Sequence, residues 1–577
     1  MDSRTAAHVL SQIGALLNVK GEQKFKARAY AGAARSLIAL DTDDLAPLLR
    51  SGELADTPGI GPATLSVVRE LVETGESSYL NKLREGTPAG LLDLLRVPGL
   101  TTARVQLIHD TLGVDTLEDL ERVAQNGELA KLPKFGQKTA EKILRGIEIL
   151  RRNSHLKRFP AAAVEAHLLL ANVVKHPDVV TAEVAGSIRR HNEVVADIDI
   201  VAECSVDPAR VAASFARSPG VSESKTGVDP ASVHIRFVDG THLDMHCVTK
   251  ADYAVALWRA TGSAAHVEEM NVFARNRGFE IAGNSLIGKS GDSIGVKDEA
   301  AFFGALGLEP IPPEMREGMG EIEAAARREL PNLVTYDDLR GVLHCHSDYS
   351  DGTATIEEMA NAARERGWDY IGISDHSESA FYAGGLKRDK LLRQQEEIDR
   401  LNALMKGFRI LKGIEADILA DGRLDYDATI LDSFDYVVGS IHSRFSMDGD
   451  AMTRRVLAAL DDPHLTILAH PTGRLLLTRE PYAIDVEAVL EKAAQGGVAV
   501  ELNADPRRLD LDWRYCRQAK ELGVTIEIGP DAHSTAGLDN VHFGIGMARK
   551  AWLEAGEILN TRSADDVVAF GRKRRAR

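Results

Sequence analysis

The 577-residue sequence predicts a multidomain protein of α and α/β class. Three observations lead to this prediction. A short proline–glycine turn followed by an amphipathic helix recurs three times within the first 150 residues. Carboxylates lie on predicted strands in the middle of the chain, and apolar runs alternate with helical patterns over the last 240 residues. A chain of this length is expected to hold roughly three to five domains.

The N-terminal element occurs as TPGIGPATLSVV (57–68), VPGLTTARVQLI (97–108) and LPKFGQKTAEKI (132–143). These segments resemble helix-hairpin-helix motifs, which present backbone N–H groups at a helix N-terminus to a DNA phosphate. The glycines expected to contact DNA are Gly59, Gly61, Gly99 and Gly136. Thr101 and Lys134 stand where the motif expects further glycines, so a purely architectural helical repeat is the alternative.

The middle region contains AGSIRR (185–190), ADIDIV (196–201) and HLDMHCV (242–248). Alternation along a strand places Asp197 and Asp199 on one face, and Asp244 on another strand completes a cluster of three carboxylates. Such a cluster holds two Mg²⁺ ions for in-line attack on a phosphoryl group. Ser187 and Arg190 are suited to the oxygens of a triphosphate.

Seven apolar runs with helical stretches between them predict a parallel β/α barrel in the C-terminal region. The runs are GVLHCH (341–346), YIGISDH (370–376), RILKGIE (409–415), YVVGSIH (436–442), LTILAHP (465–471), GVAVELN (497–503) and GVTIEIGPDAH (523–533). The clearest predicted helices span 356–367, 389–407 and 486–497. In six of the seven units a potential metal ligand follows the run.

The candidate ligands are imidazoles and carboxylates, the groups that hold Zn²⁺ or Mn²⁺. They are His344, His346, Asp351, His376, Glu415, His442, His470, Asp531 and His533. His344 and His346 are two residues apart on a strand and therefore share a face. Any single histidine of this set is better explained as an ordinary core or surface residue. Nine imidazole and carboxylate residues together at strand ends favour a metallohydrolase.

This region resembles the PHP family (polymerase and histidinol phosphatase domain). The matching residues are H-x-H at 344–346, Asp351 in YSDG, His376, Glu415 in GIE, His442 in SIH, His470 in AHP and D-x-H at 531–533. The resemblance implies a distorted barrel of the (β/α)7 type. It also implies about three Mn²⁺ or Zn²⁺ ions, with Mn²⁺ preferred, and hydrolysis of phosphoesters.

The whole chain resembles bacterial family X DNA polymerases that carry a C-terminal PHP 3′–5′ exonuclease. Further matching segments are FKARAY (25–30), TGSAAH (261–266) and ALGLEPIPPEMRE (305–317). The resemblance implies a nucleotidyltransferase palm whose catalytic carboxylates, Asp197, Asp199 and Asp244, bind Mg²⁺ or Mn²⁺. It also implies that Gly262 and Ser263 help to bind a deoxynucleoside triphosphate. Gapped or primed DNA is the expected second substrate.

The expected domains are two helical regions at 1–80 and 81–155, the palm at 156–250, a thumb at 251–317, an exposed linker at 318–339 and the PHP domain at 340–570. The first helical region corresponds to DNA-end binding and the second to fingers. Both contain helix-hairpin-helix motifs.

Several positions depart from the family pattern. Arg259 and Ala260 replace a Tyr-Phe pair, while Val267 and Asn271 stand where an Asn and an Arg are usual. Each lost charged contact costs about 1.5–3 kcal/mol. A weak or restricted polymerase with an intact exonuclease is therefore expected. One alternative is a PHP nuclease or phosphoesterase whose degenerate polymerase body positions DNA. The other is a metabolic phosphatase, which the helix-hairpin-helix elements argue against.

Composition indicates the expected binding partners, cellular compartment and oligomeric state of the protein. The net charge of −17 argues against electrostatic binding of nucleic acid over the whole surface. No apolar stretch reaches 18 residues, so no membrane partner is expected. Four isolated cysteines indicate a reduced, cytoplasmic protein, and a monomer is the default expectation. The basic tail GRKRRAR (571–577) is expected to be a solvated, disordered end, with DNA contact as the alternative.

Overall fold

A computed structural model describes residues 1–19, 24–40, 42, 44–85 and 90–576. Contacts divide these residues into two compact units. The first unit comprises Met1–Arg189, Val194–Gly262 and Asn271–Leu306. The second comprises Arg190–Glu193, Ser263–Met270 and Gly307–Arg577. This division is coarser than the six predicted domains, whose boundaries stay predictions.

The N-terminal part of the first unit is helical. Its helices are α1 (Ser3–Val19), α2 (Lys24–Leu40), α3 (Ala46–Ser51), α4 (Glu53–Asp56), α5 (Pro62–Thr74), α6 (Ser78–Glu85), α7 (Gly90–Leu95), α8 (Thr102–Leu112), α9 (Leu117–Gln125) and α10 (Gln137–Asn153). Two separate cores hold them together. One is centred on Leu10, Leu37 and Val68, and the other on Leu94 and Ile108.

The three predicted glycine turns adopt one backbone conformation. The first residue of each turn is left-handed, with φ of 88° at Gly59, 89° at Gly99 and 66° at Lys134. The residue two positions later caps the following helix: Gly61 precedes α5, Thr101 precedes α8, and Gly136 precedes α10. The two departures from the glycine pattern therefore leave the turn geometry unchanged.

Thr101 compensates for the missing glycine by a side-chain cap. Its hydroxyl oxygen accepts a hydrogen bond from the Arg104 amide at 3.4 Å, and hydroxyl caps of this kind favour helix initiation. Lys134 has no such compensation and remains in a conformation that costs an L-residue roughly 1–2 kcal/mol. All three copies therefore have the predicted turn followed by a helix.

The middle of the chain forms a mixed sheet with helices against it. The elements are β1 (Lys157–Arg158), α11 (Phe159–Val173), β2 (Val179–Val184), α12 (Gly186–Arg189), β3 (Val194–Val195), β4 (Ile198–Cys204), α13 (Pro208–Phe215), β5 (Val221–Thr226), β6 (Ser232–Phe237) and β7 (His242–Val248). The five-stranded sheet has the order β2-β4-β7-β6-β5. Only the β4–β7 pair in it is parallel. β1 and β3 form a separate antiparallel pair.

A smaller helical and sheet segment follows. It consists of α14 (Tyr253–Thr261), α15 (Ala264–Asn276), the antiparallel strands β8 (Glu280–Ala282), β9 (Ser285–Ile287) and β10 (Ser293–Ile294), and α16 (Glu299–Ala305). Trp258 is fully buried in this segment and its ring lies 4.7 Å from that of Phe302. The predicted exposed linker then contains α17 (Glu321–Arg327).

Part of this linker is buried rather than exposed, so that prediction is wrong. Ile322 and Ala325 on α17 are almost completely buried. Glu321 is fully buried and lies 2.6 Å from Nδ1 of His266 in the TGSAAH motif. Glu321 also accepts hydrogen bonds from the amides of Gly318 and Met319 at 2.9 and 2.7 Å. A carboxylate can be buried when it is paired, and the polar sequence of the linker does not show this pairing.

The C-terminal region is the predicted parallel β/α barrel. Its strands are β11 (Gly341–Val342), β12 (Tyr370–Ile373), β13 (Arg409–Lys412), β14 (Glu415–Asp417), β15 (Val438–Ser440), β16 (Ile467–Leu468), β17 (Ala499–Asn503) and β18 (Ile526–Gly529). Neighbouring strands pair in parallel within two sheets, β11–β13 and β14–β18. Single bridges from Cys345 to Ala532 and from His376 to Glu415 join the two sheets.

One predicted strand is divided in two. The run 409–415 forms β13 and β14, which are separated by Gly413 and Ile414. A Cβ at Gly413 would collide with the Tyr436 ring. This interruption accounts for eight strands in seven strand–helix units and agrees with the expectation of a distorted barrel.

Helices surround the barrel. They are α18 (Ile356–Glu365), α19 (Arg388–Leu404), α20 (Ala428–Leu431), α21 (Gly449–Leu460), α22 (Val486–Gly496), α23 (Trp513–Glu521), α24 (Val541–Lys550) and α25 (Ala564–Arg575). The predicted helices at 356–367, 389–407 and 486–497 correspond to α18, α19 and α22. Buried side chains such as Met359 and Leu490 on these helices pack into one continuous core around the strands.

The basic tail is not a disordered end within the described residues. Residues 564–575 form α25, and the Arg574 side chain donates to the carbonyl oxygens of Gly496, Leu460 and Asp462 at 2.6–3.0 Å. Val567 and Val568 of α25 pack with barrel residues such as Tyr436. Arginines that satisfy buried carbonyls give a basic segment a structural role that its charge pattern did not indicate. Arg577 lies outside the described residues.

Candidate metal centre and polymerase site

The nine predicted ligands gather at the carboxyl ends of the barrel strands. Their potential ligand atoms form four overlapping groups, and within each group the atoms lie within 4.8 Å of one another. The groups are His346, Asp351, His376 and His533; His344, Glu415 and His470; His344, His346 and Asp531; and His376, Glu415 and His442. Every predicted ligand belongs to at least one group.

Glu415 lies at the centre of this arrangement. Its carboxylate is 2.8 Å from His376, 3.0 Å from His470 and 3.3 Å from His442, and it lies 3.5–3.7 Å from the two histidines of the H-x-H pair. Only 1% of its side chain is exposed. A buried carboxylate surrounded by five imidazoles is a donor set suited to divalent cations.

Several donor atoms in this cluster have no ordinary protein partner. Nε2 of His344, both ring nitrogens of His346 and Oε2 of Glu415 are buried without a hydrogen bond from the described residues. Buried polar atoms are almost always satisfied in native proteins. These atoms therefore fit a site whose remaining bonds are made to metal ions.

Charges within the cluster shift the pKa values of its members in opposite directions. Burial, followed by the neighbouring His376, lowers the pKa of His346 to about 3. Burial and the Arg508 cation lower the pKa of His470 to about 3. Burial opposes ionisation of Glu415, but the surrounding histidines hold its pKa well below the usual range. Against the effect of burial, nearby carboxylates raise the pKa of His442 to about 10 and that of His533 to about 9. Cation binding would therefore displace protons from some of the imidazoles.

One residue behind the cluster was missed in the sequence. Oε1 of Glu501 lies 2.5 Å from Nδ1 of His344, and Oε2 accepts hydrogen bonds from the His470 amide at 2.7 Å and from the Asn503 side chain at 3.2 Å. A carboxylate on Nδ1 fixes the tautomer of a histidine and directs its Nε2 toward the metal. The signal was available, because GVAVELN (497–503) was the one barrel run without an assigned ligand.

Two further acidic residues support the cluster. Asp417 Oδ1 lies 2.8 Å from Nδ1 of His442 and orients this imidazole as Glu501 orients His344. Glu527 is fully buried, and its oxygens have no hydrogen bond from the described residues. Burial, followed by the charge of Glu501, raises the pKa of Glu527 well above its usual range. Glu527 on β18 is paired directly opposite Glu501 on β17.

The cluster opens into a pocket of about 430 Å³. Beyond the ligands, Tyr382, Arg507 and Arg508 line this pocket. Nε of Arg508 lies 3.3 Å from Asp531, and the mostly exposed Arg507 is paired with Asp505. Two cations and an aromatic ring beside metal ligands suit an anionic substrate with an apolar part.

The palm carboxylates lie on the five-stranded sheet of the first unit. Asp199 on β4 and Asp244 on β7 are directly opposite each other in the parallel pair. Asp197 lies one residue before β4, so the predicted strand is shorter at this end. Burial, followed by Asp199 and Asp244, raises the pKa of Asp197. Three mutually repelling carboxylates fit cation binding.

Two histidines beside these carboxylates were not predicted to interact with them. Nδ1 of His234 lies 2.7 Å from Oδ1 of Asp244. Nε2 of His246 lies 3.9 Å from Asp199. The register places His234 opposite Asp244 across β6 and β7. An imidazole at this distance competes with a metal ion for the carboxylate.

The predicted nucleotide-binding residues are placed as follows. Ser187 on α12 has a buried hydroxyl without a hydrogen bond from the described residues. Gly262 ends α14, and its amide donates to the Trp258 carbonyl. In the second unit, the Ser263 hydroxyl accepts from the His266 amide at 3.1 Å, and the Arg190 guanidinium lies 2.9 Å from Glu317. Lys550 contacts the same Glu317 oxygen.

Comparisons with known proteins agree with this geometry. Residues 1–77 match the helix-hairpin-helix domain family, 91–148 the SAM-like helix-hairpin-helix tandem, 256–317 the DNA polymerase beta thumb and 343–505 the PHP domain. The chain is 36% identical to the DNA polymerase/3′-5′ exonuclease PolX of Bacillus subtilis (strain 168), over 99% of each chain. The chain belongs to the PolX family.

Two shorter proteins are similar to part of the present chain. A probable phosphatase of Caldanaerobacter subterraneus subsp. tengcongensis is 30% identical over 41% of this chain and 94% of its own length. A probable phosphatase of Thermoanaerobacter sp. (strain X514) is 29% identical over 38% of this chain and 89% of its own length. The PHP and polymerase domains imply use of divalent metal ions.

Replacing Glu501 by glutamine is expected to weaken Mn²⁺ binding about 10- to 100-fold, as removal of a histidine-orienting carboxylate typically does. The amide cannot accept hydrogen bonds on both sides, so it leaves either His344 or His470 without its present partner. Calorimetric titration of the metal-free full chain with Mn²⁺ measures the effect. Glu487→Gln on the exposed side of α22 is the matched control. Equal affinities in the two variants would contradict the prediction.

Gly186→Ala is expected to lower nucleotide addition at least about tenfold while leaving 3′-end shortening unchanged. Gly186 has φ of 62°, and an added Cβ would overlap the Asp199 carboxylate. Backbone strain alone is controlled by Gly240→Ala, which has φ of 85° and no atom within 4 Å of the added Cβ. Primer extension and shortening assays compare the variants. Similar losses in both would attribute the effect to backbone strain.

Proposed function

We propose that this protein is a DNA repair enzyme with two active sites. The barrel removes nucleotides from 3′ ends as a metal-dependent exonuclease, and the palm adds deoxynucleotides in a weak or restricted manner. The observation that carries the proposal is the set of four ligand groups around Glu415 at the mouth of the barrel. The family membership, which spans nearly the whole chain, supports the assignment of DNA as substrate.

The nine ligands would hold about three ions, for which we propose Mn²⁺, with Zn²⁺ as the alternative. Such ions supply Lewis-acid stabilisation of charge on phosphate oxygens and activation of water. The residues of the chain position the substrate. Arg507 and Arg508 face the pocket and are suited to the non-bridging oxygens of the scissile phosphodiester. Glu501 and Asp417 keep the imidazoles of His344 and His442 aligned.

The palm is proposed to act with Mg²⁺ or Mn²⁺ held by Asp197, Asp199 and Asp244. Ser187, Arg190, Gly262 and Ser263 are proposed to bind the triphosphate. Two contacts favour restriction of this activity. Arg190 is engaged by Glu317, and Asp244 is engaged by His234. Each interaction must be exchanged before a nucleotide or metal ion uses the same group, which lowers the apparent affinity for substrate.

DNA contact is proposed at the three turns containing Gly59, Gly61, Gly99 and Gly136. Gly61 and Gly136 present helix N-termini, and Gly59 and Gly99 provide the left-handed turn before them. Backbone N–H groups in this arrangement bind phosphate without reading the base sequence. Gapped or primed DNA and deoxynucleoside triphosphates are therefore the proposed substrates.

We further propose a monomer that works in the cytoplasm. The four cysteines are free and buried, which fits a reducing compartment. No described helix is both long and apolar enough to cross a membrane. Light scattering during size-exclusion chromatography tests the oligomeric state.

A 5′-labelled primer on a gapped template, incubated with Mn²⁺, is expected to shorten without deoxynucleotides and to extend slowly when they are present. His376→Ala is expected to abolish shortening and retain extension, because this imidazole belongs to two of the four ligand groups. Asp199→Asn is expected to show the opposite pattern. Gel electrophoresis of timed samples distinguishes the variants. Shortening that persists in His376→Ala would place the exonuclease outside the barrel.

The double change Val267→Asn and Asn271→Arg is expected to raise the efficiency of nucleotide incorporation about tenfold or more. These residues are four apart on α15, so their side chains lie on one side of the helix. One restored charged contact contributes about 1.5–3 kcal/mol. Single-nucleotide incorporation kinetics measure the change, and shortening without nucleotides serves as the internal control. An unchanged efficiency would locate the restriction elsewhere, at Arg190 or Asp244.

A further inference from the structure

Two adjacent aromatic side chains project beside the metal centre without a protein environment to bury them. Phe381 is 86% exposed and Tyr382 is 61% exposed, in the short helical turn Phe381–Ala383 between β12 and α19. Their ring centroids are 6.0 Å apart and the ring planes are nearly perpendicular, at 79°. Exposed aromatic rings contribute little to the stability of the fold. Next to a pocket they commonly mark a binding surface.

The position of Tyr382 relates this pair to the proposed exonuclease site. Its ring centroid is 6.4 Å from that of His376 and 6.3 Å from that of His442. Tyr382 lines the same pocket as these ligands, together with Arg507 and Arg508. A base stacked on the Tyr382 ring would therefore lie close to a phosphate of the same nucleotide bound at the metal ligands.

The turn is held in place by hydrogen bonds. Asp425 accepts from the Ser377 hydroxyl at 2.7 Å and from the Ser379 amide at 3.0 Å. On the other side, the Leu386 amide donates to the His376 carbonyl at 2.8 Å. The segment that carries the two rings is thus fastened at both ends to the part of the barrel that holds His376.

The combination of groups identifies the ligand by its chemistry. Arginines beside the metal ligands suit a phosphodiester, and a planar aromatic surface suits a nucleobase, since every base has a stacking face. A pocket of about 430 Å³ has the size of a small-molecule site. The occupant that satisfies both features is a single nucleotide at an unpaired end.

We propose that Tyr382, with the adjacent Phe381 ring, forms a stacking platform for the unpaired 3′-terminal base of the substrate strand. The inference rests on the proposed exonuclease function. It deepens that function by naming the residue that holds the terminal base. The platform recognises the presence of a base and not its identity.

The experiment compares two 5′-labelled single strands that differ only at the 3′-terminal residue, which is either thymidine or an abasic tetrahydrofuran. With Mn²⁺, the full-length wild-type protein is expected to remove the thymidine about 5- to 150-fold more efficiently, the range that base–aromatic stacking provides. Tyr382→Ala is expected to remove most of this preference by slowing thymidine release, with the abasic end cleaved as before. Phe381→Ala is expected to reduce the preference partially.

Tyr382→Phe retains the ring and is expected to retain the preference. Tyr515→Ala removes another exposed tyrosine, which does not line the pocket, and is the matched control. Equal slowing of both ends by Tyr382→Ala, or an unchanged preference, would overturn the platform while leaving the exonuclease proposal intact. Failure of the wild-type protein to shorten either strand would overturn the exonuclease proposal, and the platform with it.

Discussion

Much of the C-terminal half is arranged around one buried carboxylate. Glu415 lies within 3.7 Å of five imidazoles at the end of a closed barrel, with 1% of its side chain exposed. A buried charge is tolerated only when it is paired. The broken strand contributes to this geometry, because the interruption at Gly413 lets the chain pass the Tyr436 ring immediately before Glu415. The ligand cluster and the distortion of the barrel thus share a structural origin.

The two proposed sites differ in whether neighbouring residues support the binding groups or compete for them. In the barrel, Glu501 and Asp417 hold the imidazoles of His344 and His442 from behind. In the palm, His234 and Glu317 contact Asp244 and Arg190, two of the groups proposed to bind metal and nucleotide. Supporting contacts raise the affinity of a ligand site, whereas competing contacts lower it. This contrast is the physical basis on which we propose a restricted polymerase beside the exonuclease.

Much of this organisation could be predicted from the sequence. Nearly every predicted ligand follows a short apolar run, and buried parallel strands leave a clear pattern of this kind. The supporting residues were harder to find, because Glu501 and Glu527 lie within strands, and only the folded structure brings Glu501 to His344, 157 residues away in sequence. The linker and the basic tail were misjudged for a related reason. Glu321 and Arg574 are buried by pairing with partners distant in sequence, which no local pattern reveals.

The third helix-hairpin-helix turn combines a strained backbone with a cationic side chain at one position. Where the other two copies have Gly59 and Gly99, it has Lys134 in the same left-handed conformation. This lysine also precedes the N-terminus of α10, where the helix dipole disfavours a positive charge. Both effects oppose folding, and a bound anion reverses the second. The copy least suited to forming the turn is therefore the one with a cation beside its proposed phosphate site, so a bound phosphate would offset part of the cost of forming it.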